Sequence, residues 1–519
     1  MERISPTYRT LLLLFAFLAT GWTNMLNAAP TANAGMFTDE IRVAIMDHLN
    51  LDGVAITARA STMRLTADGK TFSLPSGEQI RFEKSGNDVQ VRFGSQCVRA
   101  REIKLELDGP GAFDFDGGSS SYLRTYTGSL DVTAKRSGDG LSIINRVPIE
   151  DYVASVVGAE YGLNDLEGAK AMAIVARTYA LHALRQNKEL LDSERSQVYQ
   201  GLQKANAAAR QAAQETAGLV LTWNGELIEA VYSASNGGRT ASNESVWGTN
   251  SLPYLRSRKD PYDTRKSPHA AWTWEMDSGK LEKAMSNAFG LNVRSIRVAE
   301  TARDGRVTSV ELKSRNDSRM ISGSSFRAAL ARSFGAMTVK STYFDLDKKR
   351  NRYVFDGHGF GHGVGLSQWG AHAMALDGRS FDQILDFYYD GTRLQSMPQR
   401  TSVTAEVTIA SLVEAEASSP INGWSSSSPD VSGADMSRMS ISRPSNEESS
   451  ASLNAVSNET ATPKEKKSAA SASAKTESAI ALSAGITADS VWGSSKESTE
   501  EAEKESRPAT KKSSRRSGW

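Results

Sequence analysis

The 519-residue chain holds one cysteine, Cys97. A single thiol excludes an intramolecular disulfide and any zinc site built from several cysteines, and it suits an oxidising compartment, where spare thiols would crosslink. Charge of one sign is also missing. The 61 Lys and Arg balance 60 Asp and Glu, so no basic surplus exists to hold a polyanion by counterion release, and no nucleic-acid partner is expected. Hydrophobic residues make up only 39%, which is low for a wholly packed chain. After the N-terminus no apolar run is long enough to span a bilayer, and no internal repeat is evident. The length allows roughly two to four units of about 100–200 residues.

The ends account for the hydrophobic deficit. Residues 411–519 contain 29 Ser, 13 basic and 15 acidic residues, and no Phe or Tyr. Trp424, Trp492 and Trp519 stand there without a periodic apolar face. Such a segment buries too little surface to offset its chain entropy, so a disordered Ser/Ala/Glu/Lys-rich tail is expected over 399–519. Its final basic cluster, Lys511, Lys512, Arg515 and Arg516, is either a solvated end or a weak attractor for anionic surfaces. At the other end, Arg3 and Arg9 precede the apolar run Leu11 to Ala19, and Ala32-Asn33-Ala34 offers a small-x-small cleavage site, with Ala28-Ala29 as a rival. This predicts a signal peptide at 1–34 and export to the periplasm or cell envelope. No Cys follows the run, so no lipid can be attached there. An uncleaved segment would instead associate the protein with a membrane.

Residues 35–145 alternate apolar and polar side chains, as in Ile41 to Ile45 and Val89 to Phe93, between the turn dipeptides Asp68-Gly69, Asp108-Gly109 and Asp139-Gly140. A β-rich N-terminal region follows from that pattern. The texture changes at Val147-Pro148. Pro148 suits a first helical position, and Glu150 and Asp151 complement the helix dipole. Ile149, Val153, Val156 and Val157 fall at helical spacing, and one further turn of that stripe reaches Glu160. A carboxylate therefore stands where the pattern asks for a buried apolar side chain. Burial raises a carboxyl pKa, which lets it donate a proton near neutral pH. The plainer alternative is a Glu solvated at a fraying helix end or paired with Arg177. A second helix is expected from Leu166 to Gln186, with a small-residue stripe at Ala169, Ala173, Ala176 and Ala180 and Arg177 beside it. Asn224-Gly225 marks a hairpin. From Trp272 to Val354 the chain reads as α+β, with helices near 281–289 and 326–334 and strands near 293–299 and 307–313.

Two further stretches stand out. In Gly357 to Gly365 every second residue is Gly. Read as an extended strand, it would place His358, Phe360, His362 and Val364 on one face and bare backbone on the other, open to close approach. The two His would then lie about 13 Å apart at ~3.3 Å per residue, which is no metal pair. The run lacks both GxGxxG spacing and a Gly-Lys-Ser/Thr end, so it is not a nucleotide loop. A structural hairpin with packing histidines is the alternative. The small polar run Ser233 to Thr240, leading to Trp247 and Tyr254, suits a polar neutral ligand such as a glycan, or is an ordinary surface loop.

Taken together, Val147 to Val153, Gly158 to Glu160, Leu166 to Ala180, Ser196 to Gly201, Tyr232 to Trp247, Gly359 to Ala371 and Ile384 to Gly391 resemble the SpoIID/LytB domain family, in the right order over 146–398. The resemblance implies an α+β SpoIID-like domain and a bacterial cell-wall role in wall remodelling, sporulation or division. It implies a lytic transglycosylase that cleaves peptidoglycan glycan strands already stripped of stem peptides, with Glu160 as acid and base and a 1,6-anhydro product. Arg177, Tyr179, Gln197, Tyr199, Ser235, Gly237, His362, Ser367 and Gln368 are then expected to hold the strand, with no cofactor. Some family members bind zinc beside the Gln-Val-Tyr block, but here that region has no Cys and His182 is the one nearby His, so no metal is expected. Where many members have Tyr-His-Ser, this chain has Tyr232-Ser233-Ala234. Two other readings remain open: a non-catalytic module that binds stripped glycan and stimulates or recruits an N-acetylmuramoyl-L-alanine amidase, and a scaffold whose tail binds a division or morphogenesis partner.

Overall fold

The computed structural model describes residues 39–136 and 139–397. The expected signal peptide at 1–34 and the expected tail at 399–519 lie outside the described residues. The fold is α+β with a β-rich N-terminal region. Its alternating strands form two sheets. In the seven-stranded one the order runs Leu190–Leu191, Glu40–Ala44, Leu141–Pro148, Ser129–Ala134, Glu102–Leu107, Met63–Ala67, Lys70–Leu74. The six-stranded one runs Leu123–Tyr126, Ala112–Asp116, Gly53–Arg59, Gln79–Ser85, Asp88–Phe93, Gln96–Ala100. Alternate residues turn inward as the period of a strand requires: Ile41 and Val43 are buried while Glu40 and Arg42 are exposed. Val89, Val91 and Phe93 are buried in the same way.

This β layer does not end where the helices begin. Leu190–Leu191, which follows the second helix, adds to it in parallel beside Glu40–Ala44. Leu141–Pro148 pairs antiparallel with the same strand, Val147 opposite Ile41, and runs straight into helix α1 (Ile149–Glu160). Pro148 sits at the N-cap of α1, one place earlier than its sequence position suggests, because it is still paired across the sheet with Glu40. Helix α2 (Leu166–Arg185) is capped by Asp165, whose side chain accepts the Gly168 N–H. Its stripe of Ala169, Ala173, Ala176 and Ala180 is buried. A third helix, α3 (Ala207–Glu215), packs against both. One apolar cluster runs from Ile41 through these helices to Met397.

A fully buried arginine fastens the three helices. Arg177 donates through Nε to Glu150 Oε1 at 3.0 Å and through Nη2 to the other carboxylate oxygen. It also donates to the carbonyls of Leu219 at 3.0 Å and Ala213 at 3.2 Å. Glu150 in turn accepts the Gly218 N–H at 3.2 Å.

Residues 272–357 form a second apolar cluster of their own. It contains a sheet of Trp272–Asp277, Arg352–Gly357 and Phe344–Lys349, and another of Ser295–Thr301, Val307–Lys313 and Ser318–Ser322. Helices Ser278–Phe289 and Gly323–Phe334 pack beside these sheets. Both helices begin three residues before the apolar pattern does, because the capping side chains Asp277 and Ser322 each accept an N–H of the first turn.

The glycine-alternating segment corrects the extended reading. The strand ends at Gly357, and Gly359, Gly361, Gly363 and Gly365 have φ of +75°, +100°, +74° and +71°. A chain that turns left-handed at every second residue does not present alternate side chains on one face: His358 is exposed, while His362 and Val364 are buried. Close approach is nevertheless what the glycines permit. A Cβ on Gly365 would lie 2.0 Å from the Val231 carbonyl oxygen, and one on Gly363 would lie 1.9 Å from Arg306 Nη2. The segment thereby runs along 231–241, bridged at Ser235–Phe360 and Ala241–Val364.

Glu150→Ala leaves the Arg177 guanidinium buried without its counter-ion. The expected loss is about 3–5 kcal/mol of folding stability, measured by denaturant unfolding. A loss below about 1 kcal/mol would contradict the clasp.

Candidate functional site

Glu160 is the last residue of α1 and is only partly exposed. Its carboxylate accepts the Val198 N–H at 2.8 Å. The Tyr232 hydroxyl and the Gln368 side chain also hydrogen-bond to it. Four segments therefore meet at one carboxyl: the end of α1, the 197–198 stretch, the short strand Tyr232–Ser233, and the start of helix α4 (Gln368–Leu376). Directly behind lies Gln197, fully buried. Its Oε1 accepts from the Tyr152 hydroxyl at 2.9 Å and its Nε2 donates to the Tyr232 hydroxyl at 3.3 Å.

Protein crowded around Glu160 raises its pKa above the usual carboxylate value, chiefly by removing water from the charged form. The negative charge of Glu194 acts in the same direction. The hydrogen bonds from Val198, Tyr232 and Gln368 oppose it. Tyr179 faces the same place from α2: burial first, then the charges of Glu229 and Glu160, push its hydroxyl up to about 12. Burial and Glu160 also raise Tyr232. Both phenols therefore stay protonated and remain donors. The arrangement is a partly exposed carboxyl, raised in pKa and held in direction by neutral donors.

His362 takes a supporting place. Its Nδ1 accepts the Val364 N–H at 3.0 Å, and its ring donates to the Tyr232 carbonyl. Burial, then the neighbouring Arg306 charge, push it down to about 3. It is a neutral imidazole that fixes the Tyr232 backbone, with Trp247 at 5.2 Å across its ring.

Ser235, Gly237 and Ser367 converge elsewhere, on the buried Asp263. Its Oδ2 accepts from Ser235 Oγ at 2.8 Å and Gly237 N–H at 3.0 Å, and its Oδ1 accepts from Ser367 Oγ and from Asn236 N–H at 3.1 Å. Ser367 also caps α4 by accepting the Gly370 N–H. Tyr199 is buried among Tyr126 and Tyr152 and donates to Asn145 Oδ1 at 2.7 Å. Arg177 is engaged with Glu150, Ala213 and Leu219 and not with Glu160.

Of the residues singled out in sequence, the structure thus gathers Tyr179, Gln197 and Gln368 about Glu160 and joins His362 to them through Tyr232. It sets Ser235, Gly237 and Ser367 around Asp263, and Tyr199 and Arg177 in the core. Sequence reasoning passed over Asp263, Asp260, Glu194 and the pair Asp165–His372. Asp260-Pro261-Tyr262-Asp263 carries a local turn signal, but nothing in it points to partners 25 or 100 residues away. His182 Nδ1 faces the Leu227 carbonyl at 3.0 Å. Among the described residues no group of three or more His, Cys, Asp or Glu could hold a metal ion.

A carboxyl whose pKa is raised by folding costs stability when it ionises. Its cost is absent below the usual carboxylate pKa and sets in as pH rises through the folded value. Glu160→Gln keeps an acceptor for Val198 and removes that cost. The variant is expected to melt above the wild type at pH 7–8, with the gap closing toward pH 4. Equal or lower melting temperatures at pH 7–8 would contradict the environment described for Glu160.

Residues 137–223 match the family model described as stage II sporulation protein, and residues 261–365 match one described as a domain of unknown function. An uncharacterized protein of Brachyspira hyodysenteriae is 32% identical over 339 residues, covering 64% of this chain and 88% of that protein. The amidase enhancer of Bacillus subtilis is 32% identical over 277 residues, 44% of this chain but only 38% of that protein. Stage II sporulation protein D of Bacillus subtilis is 27% identical over 271 residues, 48% of this chain and 75% of that protein. The chain is a member of the SpoIID/LytB family.

Proposed function

We propose that the protein is an exported peptidoglycan lytic transglycosylase that acts on glycan strands stripped of stem peptides. The observation that carries this reading is the Glu160 carboxyl, raised in pKa, partly exposed and aimed by Val198, Tyr232 and Gln368. Membership of a family that includes stage II sporulation protein D supports a role at the cell wall.

Ordinary glycosidases use two carboxyl groups, whereas an intramolecular attack needs one. Glu160 gives its proton to the oxygen between C1 of the N-acetylmuramic acid and C4 of the next sugar. The C1–O bond breaks, and positive charge develops at C1. The C6 hydroxyl of the same muramic acid attacks C1 and its proton passes to the Glu160 carboxylate. The products are a 1,6-anhydro end and a free 4-hydroxyl, the acid is regenerated, and no water is consumed. Tyr232 and Gln368 keep the carboxyl pointed at the bond in both steps, and Tyr179 lends a neutral donor nearby.

A second reading is supported by the relative named amidase enhancer. In it the same site binds stripped glycan without cleaving it and stimulates an amidase. Incubation of the protein with stripped strands and mass spectrometry of the products separates the two. The expected outcome is 1,6-anhydro ends, with Glu160→Gln slower by roughly 10²–10⁴-fold. Ends carrying a water-derived hydroxyl would overturn the transglycosylase mechanism. Binding without cleavage by the wild type would favour the amidase-stimulating module.

A further inference from the structure

Two side chains one turn apart on α4 meet the two ends of the segment that follows Glu160. Gln368 hydrogen-bonds the Glu160 carboxyl. His372, four residues on and therefore on the same helix face, places its Nδ1 2.5 Å from Asp165 Oδ2. Residues 161–165 join α1 to α2 between those two contacts. A small ring results: Glu160, the connection, Asp165, His372 and Gln368.

The Asp165 end of the ring is closely built. The side chains of Asp165 and His372 are only 8% and 15% exposed, and a carboxylate so far from water is tolerable only when its lone pairs are used. Oδ1 accepts the Gly168 N–H at 2.7 Å, and Oδ2 accepts the Tyr161 hydroxyl at 3.0 Å beside His372. That hydroxyl lies 1.8 Å from where a Cβ on residue 168 would stand, so glycine there makes room for it. Facing a carboxylate, His372 Nδ1 carries a hydrogen and donates it.

Other contacts secure α4 itself. Ser367 Oγ accepts the Gly370 N–H at 3.1 Å, and the Trp369 N–H donates to the Ala234 carbonyl at 3.1 Å. The following helix, Phe381–Tyr388, is fixed to α2 by the Phe381 N–H, which donates to Glu167 Oε2 at 2.8 Å. Folding of α4 therefore does not hang on His372. The His372 bond instead ties the helix to the stretch of chain leading out of Glu160.

We propose that His372, held by Asp165, is a positioning residue that sets the Gln368 side chain against the Glu160 carboxyl. It acts through Gln368 and not on the sugar. The inference rests on the reading of Glu160 as the acid of the site.

The test compares His372→Asn with His372→Gln in the whole protein. The Asn amide nitrogen is bonded to the atom next to Cβ, as Nδ1 is in His, so it can donate to Asp165 from the same place. The Gln amide sits one bond farther out and cannot. His372→Asn should keep kcat for cleavage of stripped strands within about twofold of the wild type, whereas His372→Gln should lower kcat roughly 10-fold with KM unchanged. The Glu160 carboxyl, followed by its carbon-13 shift, should titrate at a higher pH in His372→Gln and at the wild-type pH in His372→Asn, because the Gln368 bond favours the charged form. Gln is the better helix former, so a merely structural role predicts the opposite order. Wild-type kcat and midpoint in His372→Gln, or equal impairment of both variants, overturns the positioning role. Absence of cleavage by the wild type overturns the transglycosylase reading alone, and the Glu160 midpoints then decide on His372 by themselves.

Discussion

Asp263 accepts hydrogen bonds from Ser235 Oγ, Asn236 N–H, Gly237 N–H and Ser367 Oγ at a place closed to water. Buried, a carboxylate is tolerable only when its lone pairs are used, and these donors come from chain segments about 130 residues apart. Meeting that demand holds the 232–237 stretch against the start of α4. Asp260 repeats the device one turn earlier, accepting from Asn236 Nδ2 at 2.6 Å and the Tyr388 hydroxyl at 2.7 Å. Tyr232 and Gln368, which orient Glu160, flank the groups that Asp263 ties together. Glu160 is held in direction in part because a second, fully buried carboxylate is saturated.

Around this core the other buried charges divide the same labour. Arg306 is fully buried, stacks on Tyr343 at 5.3 Å and donates to the Asn236 carbonyl at 3.0 Å. Burial pushes it down to about 10. Its charge helps to keep His362 neutral, and its bulk fills the space that a side chain at position 363 would need. Asp165 both caps α2 and pairs with His372 of α4 at 2.5 Å, while accepting from the Tyr161 hydroxyl at 3.0 Å. This ties the residue after Glu160 to the helix that begins with Gln368. Such networks are stable only when nearly every member is satisfied, so the setting of Glu160 depends on many residues that never touch it.

Much of this was legible in the sequence where the signal was local. Period-two alternation located the strands, and helical spacing located α1 and exposed Glu160 as the acid in an apolar stripe. Glycine at every second position announced close backbone approach. What alternation could not say was the conformation: four left-handed turns and a pleated strand both explain the missing Cβ atoms, and only the neighbours Val231 and Arg306 decide between them. The resemblance implied a strand-holding Arg177, and the helical pattern offered Glu160 as its partner; its counter-ion is instead Glu150, from 27 residues earlier. The convergence on Asp263 was illegible for the same reason, because a carboxylate in a loop gives no sign of burial.

The proposed role of Glu160 requires a carboxyl that holds its proton beyond the ordinary range. Its side-chain carboxyl titration, followed by carbon-13 NMR with Glu160→Gln to assign the signal, tests this most directly. The expected midpoint lies above the ordinary 4.5. A midpoint at or below that value would mean that the carboxyl is well solvated or dominated by its hydrogen bonds, and Glu160 would not be the acid described.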